Sequence, residues 1–404
     1  MQNEQRKKII VVDAFQEGCA GPNFFTGGVE RHNYILCKVL SKMGYEVNVI
    51  QTTHKDLTPE ECSYGMEGVK QHFIGPSLRR NPEHTALERK NASANWGRET
   101  FKKFQETTRR LSDAVFAFNN AKGRHSRYLC ELGIPTLQPT HCSTHQFGGL
   151  PGSVDKYLQA PRFFPSDIFQ FGYISDFVKH DYMLYSEKYL TYKITEDYMT
   201  EHIEALSEFD GEVLPQGDYI TVISRCNPDK QPHLALEIAA ANNIDLHFFT
   251  VVQDRKYYEK HIQKFEGHPN IKFFANQSHD KIMEDLRGSR GLVMTSRKET
   301  FGIAGVEALE RGVPIMYMDN IIHLTHPCSM APQDALVSPE IRDMIPKSPD
   351  LKDLEEKMKT VSFSLEEREK IARATRGYFS EERWMQNLQK IISKKPTTKK
   401  TALF

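Results

Sequence analysis

The sequence has no long hydrophobic segment and no net charge. Its 404 residues contain no apolar run near the roughly 20 residues that a membrane-spanning helix requires. Lys and Arg number 53 and Asp and Glu number 53, so the formal charge is zero. The chain as a whole therefore does not attract nucleic acid or anionic membranes, and any such preference has to be local. These absences argue against a membrane-spanning protein and a uniformly basic nucleic-acid binder.

The seven cysteines form no C-x-x-C pair and fit no zinc-binding spacing. At the N-terminus, charged residues lead directly into a short β-like run, without the apolar stretch of a signal peptide. Scattered, odd-numbered cysteines are typical of reduced thiols. We therefore expect a cytoplasmic protein.

Short strands and helices alternate along the first half of the chain. Residues 8–15 form a β-branched run, a glycine-containing loop leads to a helix from Val29 to about Met43, and 46–51 is the next strand. This opening is typical of a Rossmann-type parallel sheet. Segment 77–96 is polar and poorly patterned, and is predicted as loop or irregular helix. The further strand candidates are 69–74, 114–119, 135–141 and 170–175.

The alternation breaks between 184 and 217 and then restarts. Strand candidates in the second half are 219–224, 246–252, 271–275, 291–296 and 314–318, and residues after 346 look entirely helical. The fold class expected is α/β with two Rossmann-like domains. The predicted domains are 1–185 as an N-terminal acceptor domain, 186–217 as a linker, 218–375 as a second Rossmann-like domain, and 376–404 as a C-terminal helix and tail.

The strongest chemical signal is R-K-E-T-F-G-I-A-G-V-E-A-L-E-R-G-V-P, residues 297–314. Glu299 lies in a loop after a strand, and Glu307 lies on the helix that follows. Ligands of open α/β sheets bind beyond the carboxyl ends of the strands, where this loop lies. Glycine at the helix start permits close approach, free N–H groups there suit a diphosphate, and a carboxylate accepts hydrogen bonds from vicinal hydroxyls.

This run resembles the E-x7-E signature of the retaining GT-B glycosyltransferases of the large family four group. The resemblance implies two Rossmann-like domains facing a central cleft, with the C-terminal helix crossing back to the first. It implies that Glu299 contacts the donor sugar, that Glu307 holds the nucleotide ribose, and that Thr300, Phe301 and Gly302 belong to the same substrate-binding segment. The alternative is an ordinary helix-start carboxylate and an outward-facing glutamate.

A second segment, I-S-R-C-N-P-D-K-Q-P, is similar to the R-x4-K segment of the same family. The resemblance implies that Arg225 and Lys230 bind the diphosphate and stabilise its charge as it leaves. The family usually has glycine directly after the lysine, whereas this chain has Gln231 and then Pro232. The alternative is a pair of ordinary surface cations.

Two N-terminal motifs complete the predicted site. T-G-G-V-E-R-H resembles the family's G-G-x-E-R, which implies that Gly27 and Gly28 approach the donor phosphates. P-T-H-C-S-T-H-Q-F carries a histidine that the resemblance places against the donor sugar. His141 is the preferred residue because it is nearest the strand end, and His145 is the alternative.

No D-x-D triplet occurs in the sequence. Glycosyltransferases of the other main architecture use that pair of carboxylates to hold a divalent metal on the diphosphate. We therefore expect no metal and no cofactor apart from the nucleotide-sugar donor, most commonly a UDP-sugar in this group. The family mechanism implies retention of anomeric configuration, with a departing phosphate oxygen taking the acceptor proton.

The acceptor is predicted from a local charge imbalance. Region 70–127 has 13 Lys and Arg against five Asp and Glu, with Trp96, Phe101 and Phe104 interleaved. Cations with aromatic rings suit phosphates and stacked bases, and the first hypothesis is a hydroxymethylated base in DNA. For the charged region, the alternatives are a solvated helix face and an anionic lipid surface. For the acceptor, the alternative is a bacterial envelope or polysaccharide. For the function as a whole, the alternatives are a sugar-nucleotide epimerase and a sugar-nucleotide binding module.

Overall fold

The computed structural model describes residues 6–13, 28–53, 57–76, 86–140, 158–173, 176–203, 206–297, 302–318 and 338–394. The chain forms two compact units. The first consists of Met1–Ile174, Val178–Glu204 and Glu381–Phe404, and the second of Ser175–Phe177 and Ala205–Ser380. Each unit is built on one sheet, and in each sheet every strand pair is parallel.

The first unit is a seven-stranded sheet in the order β3-β2-β1-β4-β5-β6-β7. Its central strands are buried along their whole length, which explains their continuous β-branched and aromatic sequences. The strands are β1 Lys8–Val12, β2 Glu46–Thr53, β3 Val69–Pro76, β4 Phe116–Asn119, β5 Thr136–Thr140, β6 Phe169–Tyr173 and β7 Met199–Glu201.

Helices lie between several of these strands along the chain. They are α1 Gly28–Lys42, α2 Ala86–Arg110, α3 Gly123–Glu131 and α4 Asp176–Tyr189. One face of α2 buries Phe104 against Ile10, Leu129 and Tyr128, with Trp96 and Phe101 packed beside it. One core of the unit therefore lies between its sheet and the helices α2 and α3.

The second unit is a six-stranded sheet in the order β10-β9-β8-β11-β12-β13. Its strands are β8 Ile220–Ile223, β9 Leu246–Thr250, β10 Ile271–Ala275, β11 Leu292–Met294, β12 Ile315–Met318 and β13 Lys347–Ser348. Its helices are α5 His233–Ala241, α6 Arg255–Tyr257, α7 His279–Arg287, α8 Ile303–Leu309, α9 Leu351–Thr360 and α10 Leu365–Tyr378.

Both sheets have the same strand order. Numbered within each unit, the first six strands of the first sheet and all strands of the second run 3-2-1-4-5-6, the Rossmann order. The order reverses between the first and fourth strands, so a ligand-binding crevice is expected beyond β1 and β4 in one unit and beyond β8 and β11 in the other. The fold prediction of two Rossmann-like domains is confirmed.

The last helix, α11 Glu381–Ser393, belongs to the first unit although it follows the second along the chain. Trp384 is buried on its inner face, with its ring centroid 5.5 Å from that of His32 on α1. Lys42 pairs with Glu381 at 2.6 Å, and Asn387 donates to the main-chain oxygen of Glu201. The C-terminal helix thus crosses back to the first unit, as predicted.

Three local predictions differ from the structure. Helix α2 begins at Ala86, so 86–96 is regular helix and not irregular, while 77–85 lie outside the described residues. In the predicted linker 186–217, β7 pairs with β6 and extends the first sheet, so 190–203 belong to the first unit. The stretch after 346 is not wholly helical, because β13 pairs with β12. Both missed strands are two or three residues long, too short for a periodic signal.

Among the described residues, no helix combines the length and the apolar character needed to cross a bilayer. The cysteines in those residues are buried, namely Cys37, Cys62, Cys130 and Cys226.

Candidate active site at the switch point of the second unit

The predicted cation loop begins where β8 ends. Arg225 follows the strand by two residues and is exposed, and Lys230 is half-buried. Asn227 shapes the turn between them, since its side-chain oxygen accepts from the Lys230 N–H at 2.9 Å and its own N–H donates to the Arg225 carbonyl at 3.0 Å. Both cations thus lie on a fixed loop at the carboxyl end of the first strand.

Gln231 stands at the position after the lysine, where the resembling family usually has glycine. Its φ is 47°, in the left-handed region that favours glycine. The chain then enters α5 at Pro232, whose fixed φ suits a helix start. The glycine usual at this position in the resembling family is therefore replaced by a residue in a glycine-like conformation.

The loop after β11 is bonded to the cation loop. The Thr295 hydroxyl lies 2.9 Å from the carbonyl of Gln231 and 3.2 Å from that of Lys230. The Arg297 N–H donates to the Asp229 carbonyl at 2.8 Å. The segments that carry the two strongest sequence motifs are therefore adjacent at the switch point.

The loops after β9 and β10 join the same edge of the sheet. Cys226 donates its N–H to the Val251 carbonyl, and its own carbonyl accepts from the Asp254 N–H, each at 3.0 Å. The Asn276 N–H donates to the Thr250 carbonyl at 3.0 Å. Four consecutive loops thus form one connected rim of backbone and side-chain polar groups.

Of the site residues predicted in the E-x7-E segment, Gly302 and Glu307 lie in the described part of the chain. Gly302 has φ 90° and ψ 70° at the N-terminus of α8, a conformation that requires glycine. Glu307 lies one and a half turns later, with 7% of its surface exposed. Its carboxylate Oε1 is 2.8 Å from Nε2 of His279, the first residue of α7, whose side chain is 49% exposed. The alternative of an outward-facing Glu307 is therefore wrong, because its carboxylate turns towards the start of α7.

The remaining acid and base of the motif have a structural role. Glu310 accepts from the hydroxyl of Ser207 and from the main-chain N–H groups of Glu208 and Phe209, and it forms an ion pair with Arg311. Arg311 also donates to the main-chain oxygen of Glu307 at 2.8 Å. These contacts fix the backbone of α8 and hence the position from which Glu307 projects.

Buried Arg368 lies on α10, next to the end of the motif at Gly312. Its guanidinium donates to the carbonyls of Ser289 and Arg287 at 2.8 and 2.9 Å, and burial lowers its pKa to about 10. Gly312 has φ 74°, and a Cβ there would lie 2.6 Å from the Arg368 carbonyl. Gly312 is therefore required for the close packing of this segment against Arg368.

The first unit has a polar network at its own switch point. Asp13, directly after β1, accepts from the Asn33 side chain at 2.6 Å, and Asn33 in turn accepts from Asn120, which follows β4. All three lie at the ends of β1, β4 and the first turns of α1, which starts at Gly28. Sequence reasoning missed this network, whose only signal is polar residues directly after two buried strands.

Several predicted site residues lie outside the described part of the chain. Gly27, His141, His145, Glu299, Thr300 and Phe301 are in this group, so their roles stay predictions. Of the predicted residues that are described, Arg225, Lys230, Gly302 and Glu307 all lie on the rim of the second sheet or on the helix that starts there, and Gly28 starts α1 of the first. His279 was not predicted, because it is 28 residues from its partner along the chain.

The aromatic part of the predicted acceptor surface is not confirmed. Phe104 is fully buried, and Trp96 and Phe101 pack against the same core. The Trp96 ring N–H donates to the Pro76 carbonyl at 3.0 Å. Trp96, Phe101 and Phe104 are at i, i+5 and i+8 of α2, which places them on one core-facing side of the helix. Arg98, Lys102, Lys103, Arg109 and Arg110 of α2 are exposed, so this helix offers charge without the interleaved stacking rings expected.

The chain is similar in sequence and in fold to known glycosyltransferases. Residues 208–323 match the family model of glycosyl transferases group 1. TarM of S. aureus, in a structure with UDP and α-GlcNAc-glycerol, is 10% identical with a TM-score of 0.68, and the alignment covers 96% of this chain and 100% of that one. HepE of Anabaena, in complex with UDP, is 11% identical with a TM-score of 0.64, at 96% and 99% coverage.

A third similar structure is WaaG, described as a glycosyltransferase involved in lipopolysaccharide biosynthesis. It is 14% identical with a TM-score of 0.60, at 95% and 99% coverage. No curated protein sequence matches the chain. The fold is GT-B, and the match of residues 208–323 to the glycosyl transferases group 1 model, together with these similar structures, indicates a glycosyltransferase.

Proposed function

We propose that the chain transfers a sugar from a nucleoside diphosphate, best a UDP-sugar, to an acceptor hydroxyl with retention of anomeric configuration, as family four enzymes do. The observation that carries the proposal is the bonded rim of the second sheet. Arg225 and Lys230 lie there on one loop, beside the loop that leads to Glu307. Nucleotide binding by the similar structures of TarM and HepE supports the same donor class.

Each group has a defined role in this proposal. Arg225 and Lys230 neutralise the diphosphate, whose negative charge rises as the glycosidic bond breaks. Main-chain N–H groups near Gly302, at the start of α8, add donors without a metal ion. Glu307 accepts from the ribose hydroxyls, and Glu299 and His141 face the donor sugar. The acceptor hydroxyl attacks from the face that the diphosphate leaves, and a phosphate oxygen takes its proton.

The acceptor is proposed from the exposed charges of α2. Arg98, Lys102, Lys103, Arg109 and Arg110 are exposed on its outer face. They suit a polymer that carries phosphates, and the first candidate is DNA with a hydroxymethylated base in the cytoplasm. The second candidate is a bacterial envelope polysaccharide. It is favoured by the inward-facing rings of α2, which remove the stacking surface, and by the resemblance to TarM and WaaG.

Transfer is tested by a mass-spectrometric screen of UDP-sugars against hydroxymethylcytosine DNA and against envelope glycans. The proposal predicts a product with one added sugar, and predicts that Glu307→Gln lowers kcat/KM at least tenfold. Glu356→Gln, an exposed glutamate on α9 of the same unit, is the control. Transfer that is unchanged in the Glu307 variant would contradict the assigned role.

The choice of acceptor is tested by charge reversal. Arg109→Glu combined with Arg110→Glu should weaken retention of hydroxymethylcytosine DNA in a gel and make the remaining binding depend less steeply on salt. The control reverses two exposed lysines elsewhere in the same unit, Lys188 and Lys390. Glycan transfer with no DNA retention would exclude DNA and leave the envelope acceptor.

A further inference from the structure

His279 contacts the carboxylate of Glu307, the residue proposed to bind the ribose. Residues Asn276 to Ser278 connect β10 to α7, and the Ser278 hydroxyl caps the helix by accepting from the Lys281 N–H at 3.3 Å. His279 is thus the first helical residue, and its ring is carried by a capped helix at the same rim of loops as Arg225 and Lys230. Its Nε2 lies 2.8 Å from Oε1 of Glu307.

The backbone and the side chain of Glu307 are fixed by different residues. Arg311, two residues beyond the end of α8, donates to the main-chain oxygen of Glu307. His279 contacts the carboxylate itself, from another helix. A carboxylate is an acceptor only, so the imidazole acts as an N–H donor in this contact whichever charge state it has. The contact therefore sets the rotation of the carboxylate without moving α8.

We propose that His279 is a positioning residue for the nucleotide ribose, and that it holds the Glu307 carboxylate in the orientation that accepts from the ribose hydroxyls. The inference rests on the proposed function, since it requires a nucleotide at Glu307. The imidazole is itself half exposed while the carboxylate is nearly buried, so His279 forms the solvent side of the ribose subsite. The subsite thus distinguishes a ribose from a sugar without vicinal hydroxyls.

A purely structural ion pair between α7 and α8 is the competing explanation. Such a pair with one half-exposed partner contributes little to stability. Its loss would loosen both helices and would weaken every ligand of the unit by the same factor. A positioning role predicts instead that the loss depends on the hydroxyls of the ligand. Comparison of two ligands therefore separates the two explanations.

The experiment is calorimetric titration of UDP and of 2′,3′-dideoxy-UDP into the full chain and its variants. We expect wild type to bind UDP at least tenfold more tightly than the dideoxy ligand. His279→Ala should weaken UDP about tenfold and leave the dideoxy ligand unchanged. His279→Gln, whose amide N–H replaces Nε2–H, should restore most of the preference. Glu284→Ala, an exposed residue one turn along α7, should behave as wild type.

Each remaining outcome overturns a defined statement. If His279→Ala weakens both ligands equally, or changes neither, the positioning role is wrong while the proposed function stands. If wild type binds no nucleoside diphosphate, the proposed function fails and this inference fails with it. In the transfer assay, the same variant should raise KM for the UDP-sugar with kcat unchanged, and a fall in kcat at constant KM would contradict the assignment.

Discussion

Gln231 follows Lys230 and precedes the buried Pro232, and it has a φ of 47°. A side chain in the left-handed region costs roughly 1–2 kcal/mol relative to the right-handed one, and glycine avoids this cost. The position is held by the Thr295 hydroxyl, which bonds the Gln231 carbonyl. Local strain is thus present next to a predicted diphosphate ligand, and neighbouring contacts maintain it.

The strain predicts the effect of two substitutions. Gln231→Gly should raise the free energy of unfolding by up to about 1 kcal/mol, because glycine adopts this backbone without a penalty. Gln231→Val should lower it by about 2 kcal/mol, because a β-branched side chain is disfavoured there. Urea unfolding followed by circular dichroism measures both. Destabilisation by glycine as large as by valine would show that the Gln231 side chain, and not its backbone, matters.

His125 on α3 is buried between Phe101 and Phe104, with ring centroids at 5.1 and 4.8 Å. Burial, reinforced by the charge of Arg124, lowers its pKa from 6.5 to about 3. The folded state therefore resists protonation, whereas the unfolded chain takes up a proton below pH 6.5. This histidine thus makes stability fall as pH decreases from 6.5 towards 3, by at most about 1.4 kcal/mol per pH unit.

A variant without the imidazole isolates this contribution. His125→Phe should have a Tm that falls less than that of wild type between pH 7 and pH 4.5, since only the titration of other groups remains. Thermal unfolding at several pH values measures the difference between the two chains. Parallel pH profiles of the two Tm values would contradict a neutral, buried His125.

At the level of secondary structure, the site lies at the carboxyl ends of the strands. The five strands predicted in the second unit are short apolar runs, and their predicted ends lie within two residues of those observed, whereas the two-residue β13 was missed. The first half of α2 was missed because Arg89, Lys90, Asn91 and their neighbours carry almost no apolar stripe. The stripe Trp96, Phe104 and Leu111 was present in the sequence, and its helical spacing indicates core packing more strongly than base stacking.

Long-range partners could not be predicted. Thr295 meets Gln231 across 64 residues, because β11 and β8 are neighbours in the sheet but far apart along the chain. His279 meets Glu307 across 28 residues, because α7 packs against α8. Sequence motifs identify the cations and the carboxylate, but the hydrogen bonds that orient them come from other loops. Such partners become visible only when the strand order is known.

The link between the two motif loops predicts the effect of removing one hydroxyl. Thr295→Val keeps the shape of the side chain but loses its bonds to the carbonyls of Lys230 and Gln231. We expect about 1 kcal/mol of lost stability and a several-fold rise in the Kd for UDP, because the cation loop is released. Calorimetry with Thr221→Val as control, a buried threonine within β8, checks this. Equal Kd values in wild type and Thr295→Val would show that the loops are positioned independently.

At the scale of the whole molecule, the chain begins and ends in the same unit. α11 packs its buried Trp384 against α1, whose first residue is Gly28. His32 and His202 join the same contact, with their Nε2 atoms 3.0 Å apart. The C-terminal helix therefore supports the helix that carries one of the predicted phosphate-binding glycines.

Removing this anchor should affect the first unit. Trp384→Ala leaves a large cavity between α11, α1 and the segment after β7, and should lower the free energy of unfolding by about 3–5 kcal/mol. Trp384→Phe, which fills much of the space, should cost less than half of that. Urea unfolding with proteolysis of the C-terminal segment measures the loss. Unchanged stability in the alanine variant would contradict the docking of α11.

The central claim is that the switch point of the second unit binds a nucleoside diphosphate. The most direct measurement is a crystal structure of the chain with UDP. We expect the diphosphate within hydrogen-bond distance of Arg225 and Lys230. We expect the ribose hydroxyls to donate to the Glu307 carboxylate, beside His279. UDP bound elsewhere, or bound at this rim with its ribose turned away from Glu307, would contradict it.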